Sequence, residues 1–292
     1  MDTRSNEFLK KIRALELLSR KMVQESLLSL YRSAFRGSGM QFKEFRNYVY
    51  GDDVRHISWN VSARTVDPVL KTFEEERDRT TFLVVDVSAS LRQGPWAEQS
   101  AETLALVSGT FALSAFAVQD KLGLLLFADG VERFLPPAKG RTHLLRVIRD
   151  ILAFEPSSRK TDPDQALRQV INLIKRRSVV LFVSDMEVLP DSQLIQRLAA
   201  KHDFIAIGIE NPSEFELPDI GFLEMQSAEL GRPLTVDTSS PEFRRFLKSF
   251  GDSRQEQLKQ HFSGLGADYL SVRTDEDVNL ALRKFFLMRG RR

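Results

Sequence analysis

The sequence predicts an α/β fold, a mostly parallel sheet with helices on both faces, preceded by a helical and irregular N-terminal segment. Two patterns lead there. Beyond Asp86, short apolar runs alternate with amphipathic stretches, the pattern of strands joined by crossover helices. The runs at 82–85 and 179–183 are apolar without interruption, as strands covered on both faces must be. Composition agrees: at 42% hydrophobic and 28% charged, 292 residues can build one large core with an appendage or two modest cores.

Bulk chemistry narrows the function. Cysteine is absent, which excludes disulfides, thiolate zinc sites, iron–sulfur clusters and thiol nucleophiles together. The formal charge of +2 is a small imbalance between 42 basic and 40 acidic residues, so no nucleic-acid partner is expected. His56, His143, His202 and His261 are widely spaced, with no His-Glu-x-x-His pattern. The first residues lack a signal-peptide profile, and no run approaches about 18 uninterrupted apolar residues. A cytoplasmic protein without a transmembrane segment is expected.

Along the chain, Phe8, Ile12, Leu15, Leu18 and Met22, then Val23, Leu27 and Leu30, recur at helical spacing. One amphipathic helix over residues 6–31 is predicted, packing its stripe on the protein's own core and ending before Gly37 and Gly39. Residues 42–65 are dense in aromatics and charges without clean periodicity, which suits an irregular, well-packed segment. Residues 69–73 and 82–85 read as strands separated by the charged stretch 74–79, the first an antiparallel edge strand beside the first central one. Helices are predicted near 97–118, 141–153, 162–176, 191–200, 240–262 and 275–288. Strands are predicted near 121–127, 131–135, 179–184, 203–209, 233–237 and 268–272. Residues 1–75 then form an N-terminal unit packed on a domain spanning 76–292.

The strand at 82–85 ends in Asp86-x-Ser88-x-Ser90. Oxygens at i, i+2 and i+4 project to one side of an extended chain, as a small hard cation requires. A buried strand followed by a polar turn accounts for the same residues. Asp185 closes the strand at 179–184, and ligands in such sheets sit outside the strands' carboxyl ends. Thr161 opens a predicted helix at the same edge. Thr161-Asp-Pro-Asp164 also reads as an N-cap, and Asp185 as a cap or turn residue.

The set Asp86, Ser88, Ser90, Thr161 and Asp185 resembles the metal-ion-dependent adhesion site (MIDAS) of von Willebrand factor A domains. That resemblance implies a von Willebrand A-like fold and a Mg2+ (or Mn2+) ion, with one coordination position left for an acidic side chain of a partner. Glycines commonly precede the threonine in that domain. Here Arg159-Lys160 stand before Thr161, and Thr142, in Gly140-Arg-Thr142, is the substitute.

A second resemblance lies upstream. Arg46-Asn-Tyr48-Val-Tyr50-Gly51-Asp52-Asp53-Val-Arg55-His-Ile57-Ser-Trp59, then Ser62-Ala-Arg64-Thr65, is similar to the signature of a MoxR-associated bacterial family long catalogued as a domain of unknown function. The family implies a von Willebrand A-like domain and the company of a MoxR-type AAA+ ATPase in chaperone-like assembly or activation, but no reaction. Within the signature, Gly51, Asp52 and Asp53 suit a turn and a capped short helix, Arg55 is expected to pair with an acid, and Trp59 to pack the N-terminal segment onto the sheet. A peptide-binding groove is the other reading of these residues. Arg283, Lys284, Arg289, Arg291 and Arg292 read as a solvated end.

The resulting expectation is a non-enzymatic, metal-dependent protein-interaction module. No Gly-x-x-x-x-Gly-Lys-Ser/Thr loop is present, so ATP hydrolysis belongs to the partner. A haloacid-dehalogenase-like phosphatase is the first alternative, although Ser88 stands where that class needs a second Asp as general acid. A scaffold domain with a non-functional metal site is the other.

Overall fold

The computed structural model describes residues 25–35, 40–65, 67–75, 79–88, 91, 97–154, 160–217, 219–226 and 233–290. The predicted helix residues 6–24, the Gly37–Gly39 break, Ser90, Arg159, Arg291 and Arg292 lie outside them.

The described N-terminal elements are helix α1 (Glu25–Ala34), strand β1 (Met40–Asn47), the short helix α2 (Trp59–Ser62) and strand β2 (Val69–Glu75). Helix α1 docks by its aromatic side. Tyr31 and Phe35 are buried against Phe111 and Phe286, with ring centroids 5.6 to 6.5 Å apart. Polar contacts finish the joint: Tyr31 Oη lies 2.9 Å from Thr81 Oγ1, and Arg79 donates to the Phe35 carbonyl and, at 2.9 Å, to Asp120.

Strands β1 and β2 pair antiparallel in a ribbon of their own, so β2 is not the edge strand of the main sheet. The sequence hides β1 because the register shifts between Phe42 and Glu44. That bulge breaks the two-residue alternation by which a strand is recognised. The expected packing of Trp59 on the sheet also fails: Trp59 is 69% exposed and Tyr50 99% exposed. Aromatic density without periodicity does not specify which side faces water.

The main sheet is built from β3 (Thr80–Asp86), β4 (Lys121–Phe127), β5 (Val131–Ala138), β6 (Val179–Ser184), β7 (Asp203–Glu210) and, later in the chain, Asp268–Arg273. Between β7 and that last strand, β8 (Phe222–Gln226) and β9 (Pro233–Asp237) form a second separate antiparallel ribbon. The strand predicted at 233–237 is therefore outside the main sheet, and its partner β8 was not expected. With Asp268–Arg273 as β10, the sheet order is β10-β7-β6-β3-β4-β5, all parallel except the outer strand β5, which carries Pro136 and Pro137. This mostly parallel sheet, with helices on both faces, is the von Willebrand A-like α/β fold that the sequence predicts.

Successive side chains point to opposite faces. Leu83, Val85, Leu124, Leu126, Leu181 and Val183 meet one helical layer: α1, α3 (Ala97–Ala117), α4 (Arg141–Ala153) and a C-terminal helix. Phe82, Val84, Leu125, Phe127, Val180 and Phe182 meet the other: α5 (Pro163–Leu173), α6 (Ser192–Lys201) and α7 (Pro241–Gly264). Phe127, Phe182 and Phe204 stack along this second face at centroid distances of 5.5 and 6.3 Å. The C-terminal helix, α8 (Val278–Arg289), is tied down by Arg289. Its guanidinium reaches Asp203 at 2.6 Å and Asp268 at 3.0 Å, so Arg289 is no part of a solvated end.

Helix α3 is apolar nearly all round because it lies between the sheet and three helices. By length and composition it is the one described helix able to cross a membrane, yet most of it is buried inside this fold.

Candidate metal centre

The chain leaves β3 toward the first face, into α3, and leaves β6 toward the second, into α6. β3 and β6 are neighbours, so their carboxyl ends flank the point where the connections diverge, the usual ligand crevice of an open α/β sheet. Asp86 ends β3 there, and Asp185 follows the end of β6.

Asp86 is 1% exposed. Its Oδ1 accepts the Ser88 N–H at 2.9 Å, and its Oδ2 accepts the Ser184 hydroxyl at 2.8 Å. Ser184 Oγ also accepts the Met186 N–H at 3.1 Å and lies 3.4 Å from Asp185 Oδ1, which takes the Glu187 N–H at 3.1 Å. The two aspartates are thus linked through a serine that sequence reasoning missed. The only signal for it was its place before Asp185 at the end of an apolar run.

Electrostatics match that crowding. Burial, with the Asp185 charge adding to it, pushes the Asp86 carboxyl up to about 6 against the lowering effect of the Ser88 and Ser184 hydrogen bonds. Desolvation and then Asp185 raise Glu187 as well. Glu214 is pushed to about 7 by desolvation, Glu187 and Asp185 in turn. Excess negative potential at two adjacent strand ends is what a divalent cation relieves, and hydroxyls beside carboxylates are the hard oxygen donors Mg2+ takes. The residues present therefore fit such an ion. Among the described residues no group of three or more His, Cys, Asp or Glu gathers as a metal site, so a centre here depends on its hydroxyls.

The remaining expected members stand as follows. Ser88 is fully buried beside Asp86, and Ser90 lies outside the described residues. Thr161 sits at the same carboxyl edge. The adjacent Asp162 N–H donates to the Ala128 carbonyl at 2.7 Å, just past the end of β4, where Val87 N–H meets Phe127 O at 2.9 Å. The N-cap of α5 is Asp162, which accepts from Gln165 N–H at 3.1 Å, so capping does not fall to Thr161. Nor does Asp185 cap α6, since Asp191 does. Thr142, near the start of α4, stands at the opposite edge: the neighbouring His143 Nε2 is 2.7 Å from the carbonyl of Leu122, near the beginning of β4.

In the signature segment, Gly51 has φ of +106°, a conformation open to glycine, and Asp52 accepts from Arg46 and from Val49 N–H. Asp53 caps the short 3-10 turn at 54–56 and pairs with Arg55 at 2.8 Å. Arg64 follows α2 and is exposed. On the far side of Asp185, a groove of about 450 Å3 opens between Met186, Glu187 and Leu189 and the α7 residues Phe250, Arg254 and His261.

Sequence comparison defines the class. Residues 44–257 match the family described as "Protein of unknown function DUF58", and the chain belongs to that family. An uncharacterized protein of Mycobacterium tuberculosis is 28% identical over 285 residues, covering 96% of this chain and 89% of its own length. Among solved structures, a von Willebrand factor type A protein from Catenulispora acidiphila gives a TM-score of 0.40 at 9% identity, covering 76% of this chain and 43% of that one. An aerotolerance-related membrane protein from Bacteroides fragilis gives 0.47 at 13% identity, covering 73% and 98%. The last comparison corrects the cytoplasmic expectation. A similar structure belongs to a protein described as a membrane protein, and neither a missing signal-peptide profile nor a balanced charge assigns a compartment.

Proposed function

We propose that this chain is a non-enzymatic protein-interaction module whose edge at Asp86, Ser88, Ser90, Thr161 and Asp185 holds Mg2+ or Mn2+ and receives a carboxylate from a partner. The partner we propose is a MoxR-type AAA+ ATPase, or a client protein on which the two act together in assembly or activation. One arrangement supports this above all: two aspartates from neighbouring strands, linked through Ser184 at the sheet's switch point. When bound, the cation supplies a positive charge that a partner's acidic side chain neutralises. Asp86 and Asp185 contribute the negative charge, and the buried Ser88 offers a neutral oxygen. A phosphatase reading has less support, because Ser88, two positions after Asp86, is a poor proton donor to a leaving group.

Calorimetric titration of the chelator-stripped protein with Mg2+ and Mn2+, beside Asp86→Ala and Asp185→Ala, tests the centre. Saturable one-site binding, lost in both variants while the fold persists, is the expected result. Capture of the ATPase with metal, and its release by chelator, then tests the partner. Binding that survives both substitutions overturns the site, and capture indifferent to chelator overturns the metal-dependent partnership.

A further inference from the structure

We propose that Ser184 is a positioning residue of this centre, its hydroxyl clamping the Asp86 carboxylate and the Asp185 turn into one frame. The proposal rests on the metal reading given above and deepens it. Ser184 is 1% exposed and ends β6 beside Asp86. Its single proton goes to Asp86 Oδ2, and an oxygen lone pair takes the Met186 N–H. The hydroxyl is therefore engaged in both directions, and its work is to orient the carboxylate.

The Ser88 N–H on Oδ1 and the Ser184 hydroxyl on Oδ2 hold both Asp86 oxygens, and the Ser88 side chain adds a further hydrogen bond, which together fix the carboxylate plane. A carboxylate has about four acceptor sites, so one remains for the ion or its water. The turn on the other side is held just as closely. Met186 has φ of +59°, a left-handed conformation that a residue of its size seldom adopts, and its side chain is buried. Ser184 accepts from its N–H, while Arg254 of α7 donates to its carbonyl at 2.9 Å. Strained backbone persists only where its surroundings over-determine it, and here the turn aims Asp185 at the crevice. Partners that orient metal ligands commonly carry 10- to 100-fold in affinity, roughly the loss expected without this hydroxyl.

The test titrates Mg2+ into chelator-stripped wild type, Ser184→Ala, Ser184→Thr and Ser184→Cys, with thermal unfolding of each metal-free protein alongside. Ser184→Ala is expected to weaken Mg2+ binding by roughly 10- to 100-fold while still unfolding cooperatively, and Ser184→Thr, which keeps the hydroxyl, to bind within a few-fold of wild type. Ser184→Cys keeps the volume with a weak donor and is expected to lose affinity in the same direction, so the proposal stays testable if the alanine variant fails to fold. Wild-type affinity in the alanine or cysteine variant overturns the role of Ser184 and leaves the metal reading intact. An equal loss in Ser184→Thr does the same. Absence of binding by the wild type overturns the metal reading and the Ser184 role with it.

Discussion

Tyr31 and Thr81, 50 residues apart in the chain, share a buried hydroxyl contact of 2.9 Å that fastens helix α1 to the first strand of the main sheet. Around it Tyr31 packs against Phe35, Phe111 and Phe286. Tyr31→Phe removes only the hydrogen bond and is expected to cost about 1 kcal/mol, since Thr81 keeps a longer contact with Asp120 at 3.4 Å. Tyr31→Ala also empties the aromatic nest and should cost about 3–5 kcal/mol. Urea unfolding of both variants checks this, and equal midpoints for wild type and Tyr31→Ala would show that α1 contributes nothing to the fold.

Arg289 gathers three elements at the amino edge of the sheet. It bridges Asp203 and Asp268 and lies over the Phe35 ring at 5.0 Å. Arg289→Met keeps much of the volume but removes the guanidinium that two neighbouring carboxylates share, and a loss of about 2–3 kcal/mol is expected. Adding Asp203→Asn should recover part of it, which a double-mutant cycle measures.

His202 is 3% exposed, and neither ring nitrogen meets a hydrogen-bond partner among the described residues. Burial, followed by Lys201 and Arg177, lowers its pKa to about 4. The unfolded chain binds this proton near pH 6.5 and the folded chain only near 4, so the associated stability is present above about 6.5 and lost as pH falls toward 4. His202→Leu should flatten the melting-temperature profile across that window and change stability little at pH 7. An unaltered acid limb in this variant would assign the acid sensitivity elsewhere.

The metal-free centre carries the opposite pH dependence. Asp86 titrates near 6 in the folded protein against about 3.8 unfolded, so its neutral form favours folding below about 4, and that contribution is lost as pH rises through 6. At neutral pH the charged, buried carboxylate costs the metal-free fold on the order of 3 kcal/mol. Asp86→Asn can accept the Ser88 N–H and donate to Ser184, and is expected to melt above wild type at pH 7.5 and level with it near pH 4. A lower melting temperature for Asp86→Asn at pH 7.5 contradicts this.

Much of this was legible in the chain. Uninterrupted apolar runs at 82–85 and 179–183 marked strands covered on both faces, and the six predicted helices beyond Asp86 fall close to α3 through α8. Asp86 and Asp185 were legible as strand-end carboxylates because side-chain chemistry and position coincide there. Ser184 was not, because a small polar residue at the end of an apolar run has no periodicity of its own, and its contact lies 98 residues away. Strand β1, and with it the pairing of β2, escaped through the bulge. The exposure of Tyr50 and Trp59 escaped because aromatic content predicts burial only when its spacing says which way it faces.

Strand β5 closes one margin of the sheet, and two of its residues, Pro136 and Pro137, have no amide hydrogen to offer. A neighbouring molecule cannot zip a full ladder onto that margin, so this edge resists the chain-to-chain templating from which fibrils grow. Whatever associates with this side of the protein must grip side chains and loops.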